Sequence, residues 1–485
     1  MKILLVASEV TPFAKTGGLA DVAAALPRAL ARLGHDVRIF MPWYHSVSEQ
    51  RLATEPLNLA LEVEIAGVMR SAEVRRGWLG DIPVYFLDYP EFFQRQGLYG
   101  TPAGDYPDNA WRFGLFCRAV LDALPQLDFQ PDVLHLNDWQ TGLIPVLLRG
   151  ERSKDPFYAG TGTVITIHNL GYQGLFPAET LSELGLDPAL FHMGGLEYYG
   201  QLSFLKGGLL FADRITTVSP TYCEEIQTPL FGHGFEGILQ GRRKDLLGIL
   251  NGIDCKQWDP ERDLALVAPY SAAHPEGKER NKQALQEQLG LDADERLPVL
   301  AMITRLATQK GLDILEAAWP RLMRRSLQFV LLGDGEQHHR EFFRKLQNRY
   351  RGRVSITLGF DDSLARQIYA GSDLFLMPSH YEPCGLGQLI ALRYGSIPLV
   401  RRTGGLADTV RDADQTPPGN GFLFGPPTAT ALLQALDRAL KRYRDSSGWN
   451  RLVAGALSED FSWERSARRY VEIYQQARES RKKLN

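Results

Sequence analysis

Several features are scarce or missing in this 485-residue chain, and each absence removes a class of function. It has four cysteines: Cys117, Cys223, Cys255 and Cys384. None forms a C-x-x-C pair or has zinc-finger spacing. That argues against a disulfide scaffold and suits free thiols in a reducing cytoplasm. No apolar run approaches the length of a membrane-spanning helix. The start, "MKILLVASEVTPF", has only a short apolar run, followed by acidic Glu9, with no small-residue cleavage site. It reads as a buried first strand rather than a secretion signal. Charge is nearly balanced, with 54 Lys and Arg against 57 Asp and Glu, a net of −3. Nucleic acid and an anionic membrane are therefore not expected as partners, and the terminal "RKKLN" reads as a solvated tail. There is no Walker A motif and no G-x-G-x-x-G after the first strand. This counts against a P-loop ATPase and an ordinary NAD dehydrogenase. No H-E-x-x-H or other metal cluster stands out. His338 and His339 fall in a polar, helix-like stretch and read as surface.

What is present is a soluble globular composition, 44% hydrophobic and 23% charged, long enough for two or three domains. Short apolar runs alternate with amphipathic segments, the pattern of parallel strands joined by crossover helices. The expected strands of the first half are 2–7, 36–41, 83–87, 133–137, 163–168 and 214–219. In the second half they are "LPVLAMITRL", "LQFVLLGDGE", "RVSITLGF", "SDLFLMPS" and "SIPLVRRTGG". "ADVAAALPRALARLG" and "GLDILEAAWPRLM" read as helices. The stretch Asp259–Gly277 lacks periodicity and holds three prolines, so a domain connection is expected in or just before it. Near the end, Ala467, Tyr470, Val471, Tyr474 and Ala477 recur at helical spacing. The expected fold class is α/β, two doubly wound domains over residues 1–250 and 251–460. A final helix, 461–485, would pack back on the first. In such sheets ligands bind outside the carboxyl ends of the strands. Two domains with those ends facing each other would enclose a deep cleft.

The hexapeptide TGGLAD occurs twice, at Thr16–Asp21 and Thr403–Asp408. Each copy reads as a strand-to-helix turn where glycines let the backbone approach a ligand and helix N–H groups are free. A tight turn alone would explain one copy; two copies after apolar strands favour a site. Arg305 and Lys310 follow a strand end and precede a helix, where both can reach a diphosphate. Glu382 follows another strand, ahead of Gly385-Leu386-Gly387. It could hold sugar hydroxyls or merely cap the next helix. Asp138 and His168 end two further strands. "LGDGE" at 332–336 is a weak nucleotide-turn signal alone.

Taken together, "KTGGLADV", "HLNDWQTGL", "TIHNLGYQG", "ILNGID", "RLATQKGLDIL" and "YEPCGLGQLIALRYGSIPLVRRTGGLADTV" closely resemble the bacterial glycogen synthases and plant starch synthases, glycosyltransferase family 5. The resemblance runs in order from Lys2 to the final helix. It implies the GT-B fold, two Rossmann-like domains with the C-terminal one binding a nucleotide sugar. It implies transfer of glucose from ADP-glucose to the 4-hydroxyl of an α-1,4-glucan end, glycogen included. The α configuration is retained, and no metal or organic cofactor is needed. Carried over by motif, Lys15, Gly17, Gly18 and Asp21 lie by the donor. Asp138, His168 and Asn251 line the glucose subsite. Arg305 and Lys310 neutralise the diphosphate, and Glu382, Cys384 and Gly385 hold glucose hydroxyls. Leu386 and Gly387 offer N–H groups to phosphate, Gly359 and Phe360 flank adenine or ribose, and Thr403 and Gly404 shape the same wall.

Three positions depart from the pattern of relatives. Ile390 replaces the second Glu of Glu-x7-Glu, Gly387 stands where Thr or Asn is expected, and Phe360 replaces Tyr. Retention normally calls for a carboxylate nucleophile. Here the resemblance favours a front-face route, with the departing phosphate taking the acceptor's proton and the His168 carbonyl steadying the cation. Asp138 as nucleophile is the competing mechanism. Rival functions are a GT-B enzyme using UDP-glucose or a small acceptor (sucrose or trehalose type), a pyridoxal-dependent glucan phosphorylase, and a silent glucan-binding relative. The last would have lost Lys15, Arg305 or Lys310.

Overall fold

The computed structural model describes residues 1–50, 52–101, 103–415 and 419–484. The chain forms two compact units. The first comprises residues 1–218, 223–249 and 463–485, and the second residues 219–222 and 250–462. The chain thus crosses between Ile249 and Leu250, ahead of Asp259–Gly277. That proline-bearing stretch lies wholly inside the second unit. Ala268 and Tyr270 are buried there, and Tyr270 Oη donates to the Tyr394 carbonyl at 2.9 Å. Periodicity is lacking because the segment packs as irregular chain, its polar groups met by side chains. The tail's final residue, Asn485, lies outside the described residues.

The large sheet of the first unit is built from β1 (Lys2–Val6), β2 (Asp36–Pro42), β3 (Glu55–Ile65), β4 (Val68–Leu79) and β5 (Ile82–Asp88). They continue with β6 (Val133–Asn137), β7 (Gly162–Ile167), β8 (Arg214–Thr217) and β9 (Leu246–Gly248). They form one nine-stranded sheet, ordered β9-β8-β7-β6-β1-β2-β5-β4-β3. β1 runs parallel to both β2 and β6, which flank it on opposite sides. The order therefore reverses between β1 and β6, a topological switch point. β6 and β7 are buried throughout, as central parallel strands covered on both faces must be. The antiparallel β3–β4 pair escaped the sequence reading. Leu61, Val63 and Ile65 are buried while Glu62 and Glu64 are exposed, so the pair is one-faced and has no continuous apolar run.

The second unit holds β10 (Val299–Ile303), β11 (Gln328–Gly333), β12 (Val354–Leu358), β13 (Leu374–Met377), β14 (Ile397–Arg401) and β15 (Phe422–Phe424). All pairings are parallel. The order β12-β11-β10-β13-β14-β15 is the Rossmann order 3-2-1-4-5-6, with its switch point between β10 and β13.

Helix Trp463–Leu484 belongs to the first unit. Ala467, Tyr470, Tyr474 and Ala477 are fully buried. Val471 is only half-buried, and Ile473 takes the inward place. The helix sits so close to β7 that a Cβ on Gly162 would lie 2.8 Å from the Ala477 carbonyl carbon. Tyr474 Oη bonds His135 Nδ1 at 2.8 Å. Burial, chiefly, pushes the His135 pKa down to about 3, with His168 adding to it, so this ring is neutral. Among the described residues, no helix is long and apolar enough to cross a membrane.

Candidate active site

Both switch points collect the polar residues that sequence reading singled out. In the first unit, Glu9 follows β1, Asp138 follows β6 and His168 follows β7, three adjacent strands. Asp138 is 8% exposed and adopts φ 55°, ψ −171°, a region nearly reserved for glycine. Its Oδ1 accepts the His168 backbone N–H at 2.7 Å. Burial raises its pKa to about 7, while the His168 and Asn169 amides pull it down and Glu9 adds a smaller upward push. His168 Nε2 lies 2.9 Å from Asn137 Oδ1. The Asn137 amide nitrogen donates to Val6 and His135 carbonyls, which fixes its oxygen toward His168. Hence Nε2 carries the proton, and burial pushes this imidazole's pKa down to about 3.

The first TGGLAD is not an immediate strand-to-helix turn, because residues 7–15 separate it from β1. Glu9, which no sequence motif singles out, organises this loop. Its carboxylate accepts Thr16 N–H at 2.5 Å and Thr16 Oγ1–H at 2.6 Å. It also accepts Gly17 N–H at 3.3 Å and Tyr99 O–H at 2.6 Å. The Gly17 N–H is thus taken up by a side chain. Gly18 opens helix Gly18–Arg32. Lys15 is exposed and pairs with Asp21 at 2.7 Å.

In the second unit Arg305 follows β10 and is exposed. Lys310 ends the 3-10 turn Thr308–Lys310. Its Nζ donates to both oxygens of Glu382 at 2.7 and 3.0 Å, and Glu382 is 6% exposed. Ser379 Oγ also donates to Glu382, at 3.0 Å. Glu382 therefore does not cap the following helix through its side chain; it anchors Lys310 across the switch point. The two loops are laced further. His380 N–H donates to the Gln309 carbonyl at 2.9 Å, Gln309 Nε2 donates to the Tyr381 carbonyl at 3.2 Å, and Arg401 Nε donates to the Ser379 carbonyl at 2.6 Å. Gly311 has φ 69°, and a Cβ on it would meet the Pro378 carbonyl at 2.1 Å. Gln309 and Arg401 had no sequence signal, because each donates to a backbone carbonyl far away in the chain, and Ser379 none, because a lone serine ahead of Glu382 is no motif.

Cys384 is buried, and burial lifts its thiol pKa to about 12 against a smaller opposing pull from the Asn251 backbone. Asn251 is also buried, and its Oδ1 has no hydrogen-bond partner among the described residues. Gly385 takes φ 73°. Leu386 and Gly387 stand at the start of helix Gly387–Arg393. A Cβ on Gly387 would approach the Phe375 ring at 3.1 Å, so the glycine leaves no room for the expected larger residue without movement of that ring. Ile390 is buried in the apolar core, where a second glutamate would have no partner. Gly359, at φ 131°, and Phe360, 80% exposed, follow β12. Thr403 and Gly404 lie beneath the Glu382 loop and are buried. A Cβ on Gly404 would sit 2.0 Å from the Glu382 carbonyl oxygen, so this glycine serves loop packing.

The second unit offers cations beside a buried carboxylate at its switch point, and the first a buried carboxyl that holds the backbone of the His168 loop. Comparison with known proteins gives it a family. Residues 2–241 match the model of the starch synthase catalytic domain, and residues 282–451 that of glycosyl transferases group 1. The chain is 61% identical to a glycogen synthase of Syntrophotalea carbinolica, over 98% of this chain and 99% of the relative. It is 52% identical to one of Geotalea uraniireducens over the same shares. The solved catalytic domain of starch synthase IV from Arabidopsis thaliana, bound to ADP and acarbose, superposes with a TM-score of 0.92 at 37% identity, covering 99% of both chains. A sucrose-phosphate synthase from Thermosynechococcus elongatus shares the fold at TM-score 0.58 and 19% identity, covering 98% of each. With full-length relatives this similar, the chain belongs to the glycogen synthase family.

Proposed function

We propose that the protein elongates an α-1,4-glucan such as glycogen, transferring glucose from ADP-glucose to the terminal 4-hydroxyl with retention of configuration. The observation that carries this reading is the Lys310–Glu382 pair at the Rossmann switch point, beside exposed Arg305. Breaking the anomeric bond builds negative charge on the departing diphosphate. Pre-placed cations stabilise that charge, each such group contributing about 3 kcal/mol in a dry site. Glu382 holds Lys310 in place before substrate arrives, so little reorganisation is needed. Because Arg305 and Lys310 supply the positive charge, transfer is expected to need neither a metal nor an organic cofactor. ADP is favoured as leaving group because a domain 37% identical to this chain was solved with ADP. The four cysteines form no disulfide, which supports a cytoplasmic site of action.

For mechanism, the geometry favours the front-face route. Asp138 is turned toward the backbone amides of His168 and Asn169. It fixes the loop whose carbonyl would steady the developing cation. A group that spends its oxygen on backbone N–H groups is a poor nucleophile, and its neutral form is half-populated near pH 7.

The test is to incubate the protein in EDTA with ADP-glucose or UDP-glucose, with and without glycogen, and follow nucleotide release and new α-1,4 linkages. Glycogen-dependent ADP release with chain growth is expected. Turnover with UDP-glucose alone would change the donor. No glycogen-dependent turnover from a folded sample would point to a small acceptor or a silent relative.

A further inference from the structure

Glu336, His338 and His339 sit where β11 gives way to helix Gln337–Arg349, and the proposed transfer uses none of them. The sequence places both histidines at the surface. His338 is indeed exposed, but His339 is only 2% exposed, and its ring meets Glu316 of helix Leu312–Leu322. Its Nδ1 lies 2.7 Å from Glu316 Oε1. An ionised carboxylate can only accept, so Nδ1 carries the proton. Nε2 makes no hydrogen bond among the described residues. It faces Glu336 Oε2 at 3.8 Å. His338 Nε2 is also 3.8 Å from that oxygen. The two imidazole centroids are 3.8 Å apart, and ligand atoms of all three residues lie within 4.8 Å of one another.

A buried lone pair opposite a carboxylate is costly unless something positive lies between them. At 3.8 Å the two atoms are too far apart for a direct hydrogen bond. A cation with bonds of its own on each side would span them. Two imidazoles and one carboxylate are the donor set of a borderline divalent transition metal. Glu316 supplies the outer carboxylate contact that metal-bound histidines use to fix their tautomer. Tetrahedral zinc places its ligand atoms about 3.3 Å apart, so the 3.8 Å pairs must close by roughly half an ångström and the two imidazole nitrogens, within 4.8 Å of each other, by up to about 1.5 Å. The side chains of His338 and Glu336, 63% and 44% exposed, are placed to make that movement. The nearby Arg340 is paired with Asp334 at 3.2 Å, which limits its repulsion.

We propose that Glu336, His338 and His339 bind one divalent transition-metal ion of the zinc class, with water completing its shell and Glu316 orienting His339. The site adjoins the donor-handling loop. Glu336 Oε1 accepts the Thr308 N–H at 3.4 Å, and the Glu336 N–H donates to the Leu306 carbonyl at 2.8 Å. A bound ion would brace the turn that carries Lys310.

The test is a zinc titration of the full chain, stripped with EDTA and desalted, against a competing chromophoric chelator. One equivalent is expected to bind. Glu316→Gln should weaken binding about 10- to 100-fold, and His338→Ala and Glu336→Ala at least as much. X-ray absorption of the 1:1 complex should show two imidazole ligands. His339→Ala removes a buried ring and can fail to fold, so exposed His338→Ala carries the decision. Zinc affinity unchanged in His338→Ala and Glu336→Ala, sulfur ligation in the spectrum, or no binding by the parent protein would each overturn the proposal.

Discussion

The two copies of TGGLAD share six residues and a helix start, yet the surrounding chain uses them differently. In both, the leucine is buried, Leu19 at 8% and Leu406 at 0% exposure. The glycines diverge. A Cβ on Gly405 would lie 2.1 Å from the Cys384 carbonyl oxygen, and one on Gly404 2.0 Å from that of Glu382, whereas a Cβ on Gly17 would meet nothing within 4 Å. Gly17 is extended, at φ −154°, so its conformation does not demand glycine either. The aspartates diverge as well. Asp408 accepts Thr221 N–H at 2.9 Å and Thr221 Oγ1–H at 2.7 Å, while Asp21 pairs with exposed Lys15. The second copy is a packing device that seats the Glu382 loop. The first leaves an open glycine whose place no packing contact explains.

The largest effect is expected from Gly405→Ala. Its Cβ would strike backbone that cannot yield, so a loss of about 3 kcal/mol or more is expected in denaturant unfolding. An unchanged midpoint would remove the packing role. At Asp138, a carboxyl whose pKa is raised on folding is protonated in the native state and ionised in the unfolded one between the ordinary aspartate range and about 7. Its contribution to stability is present at acid pH and lost as pH rises through that window, at about 1.4 kcal/mol per unit of pKa difference. Asp138→Asn should flatten this slope and stay within about tenfold of normal turnover, since it keeps an acceptor for the amides. Asp138→Ala should lose more than about a hundredfold. Equal, severe losses in both would restore the nucleophile. Next, Asp408→Ala should cost about 1–2 kcal/mol for two lost hydrogen bonds, and Asp21→Ala less than about 1 kcal/mol, as for an exposed pair. Equal costs would erase the contrast between the copies. Smallest in stability is Gly17→Ala, within about 0.5 kcal/mol. Its KM for the donor should nevertheless rise; an unchanged KM would make Gly17 incidental.

Much of the fold was legible because buried parallel strands are continuous apolar runs, and their carboxyl ends carry the motifs. β3 and β4 were missed because a one-faced antiparallel pair alternates instead. Motifs named Arg305, Lys310, Glu382, Asp138 and His168, but not their partners. Lys310 and Glu382 meet only through the β10–β13 pairing, Glu9 works largely through backbone amides, and buried His339 meets Glu316 from another helix. Such pairings are set by tertiary packing, which local pattern does not encode.

The most direct measurement compares Arg305→Ala with the parent protein for glycogen-dependent ADP release and for thermal unfolding. Arg305 is exposed and pairs with no carboxylate among the described residues, so its removal should leave the unfolding midpoint unchanged. Loss of leaving-group stabilisation should lower kcat by about 10²–10³-fold. Near-normal turnover from the folded variant would contradict charge neutralisation at the switch point as the source of catalysis.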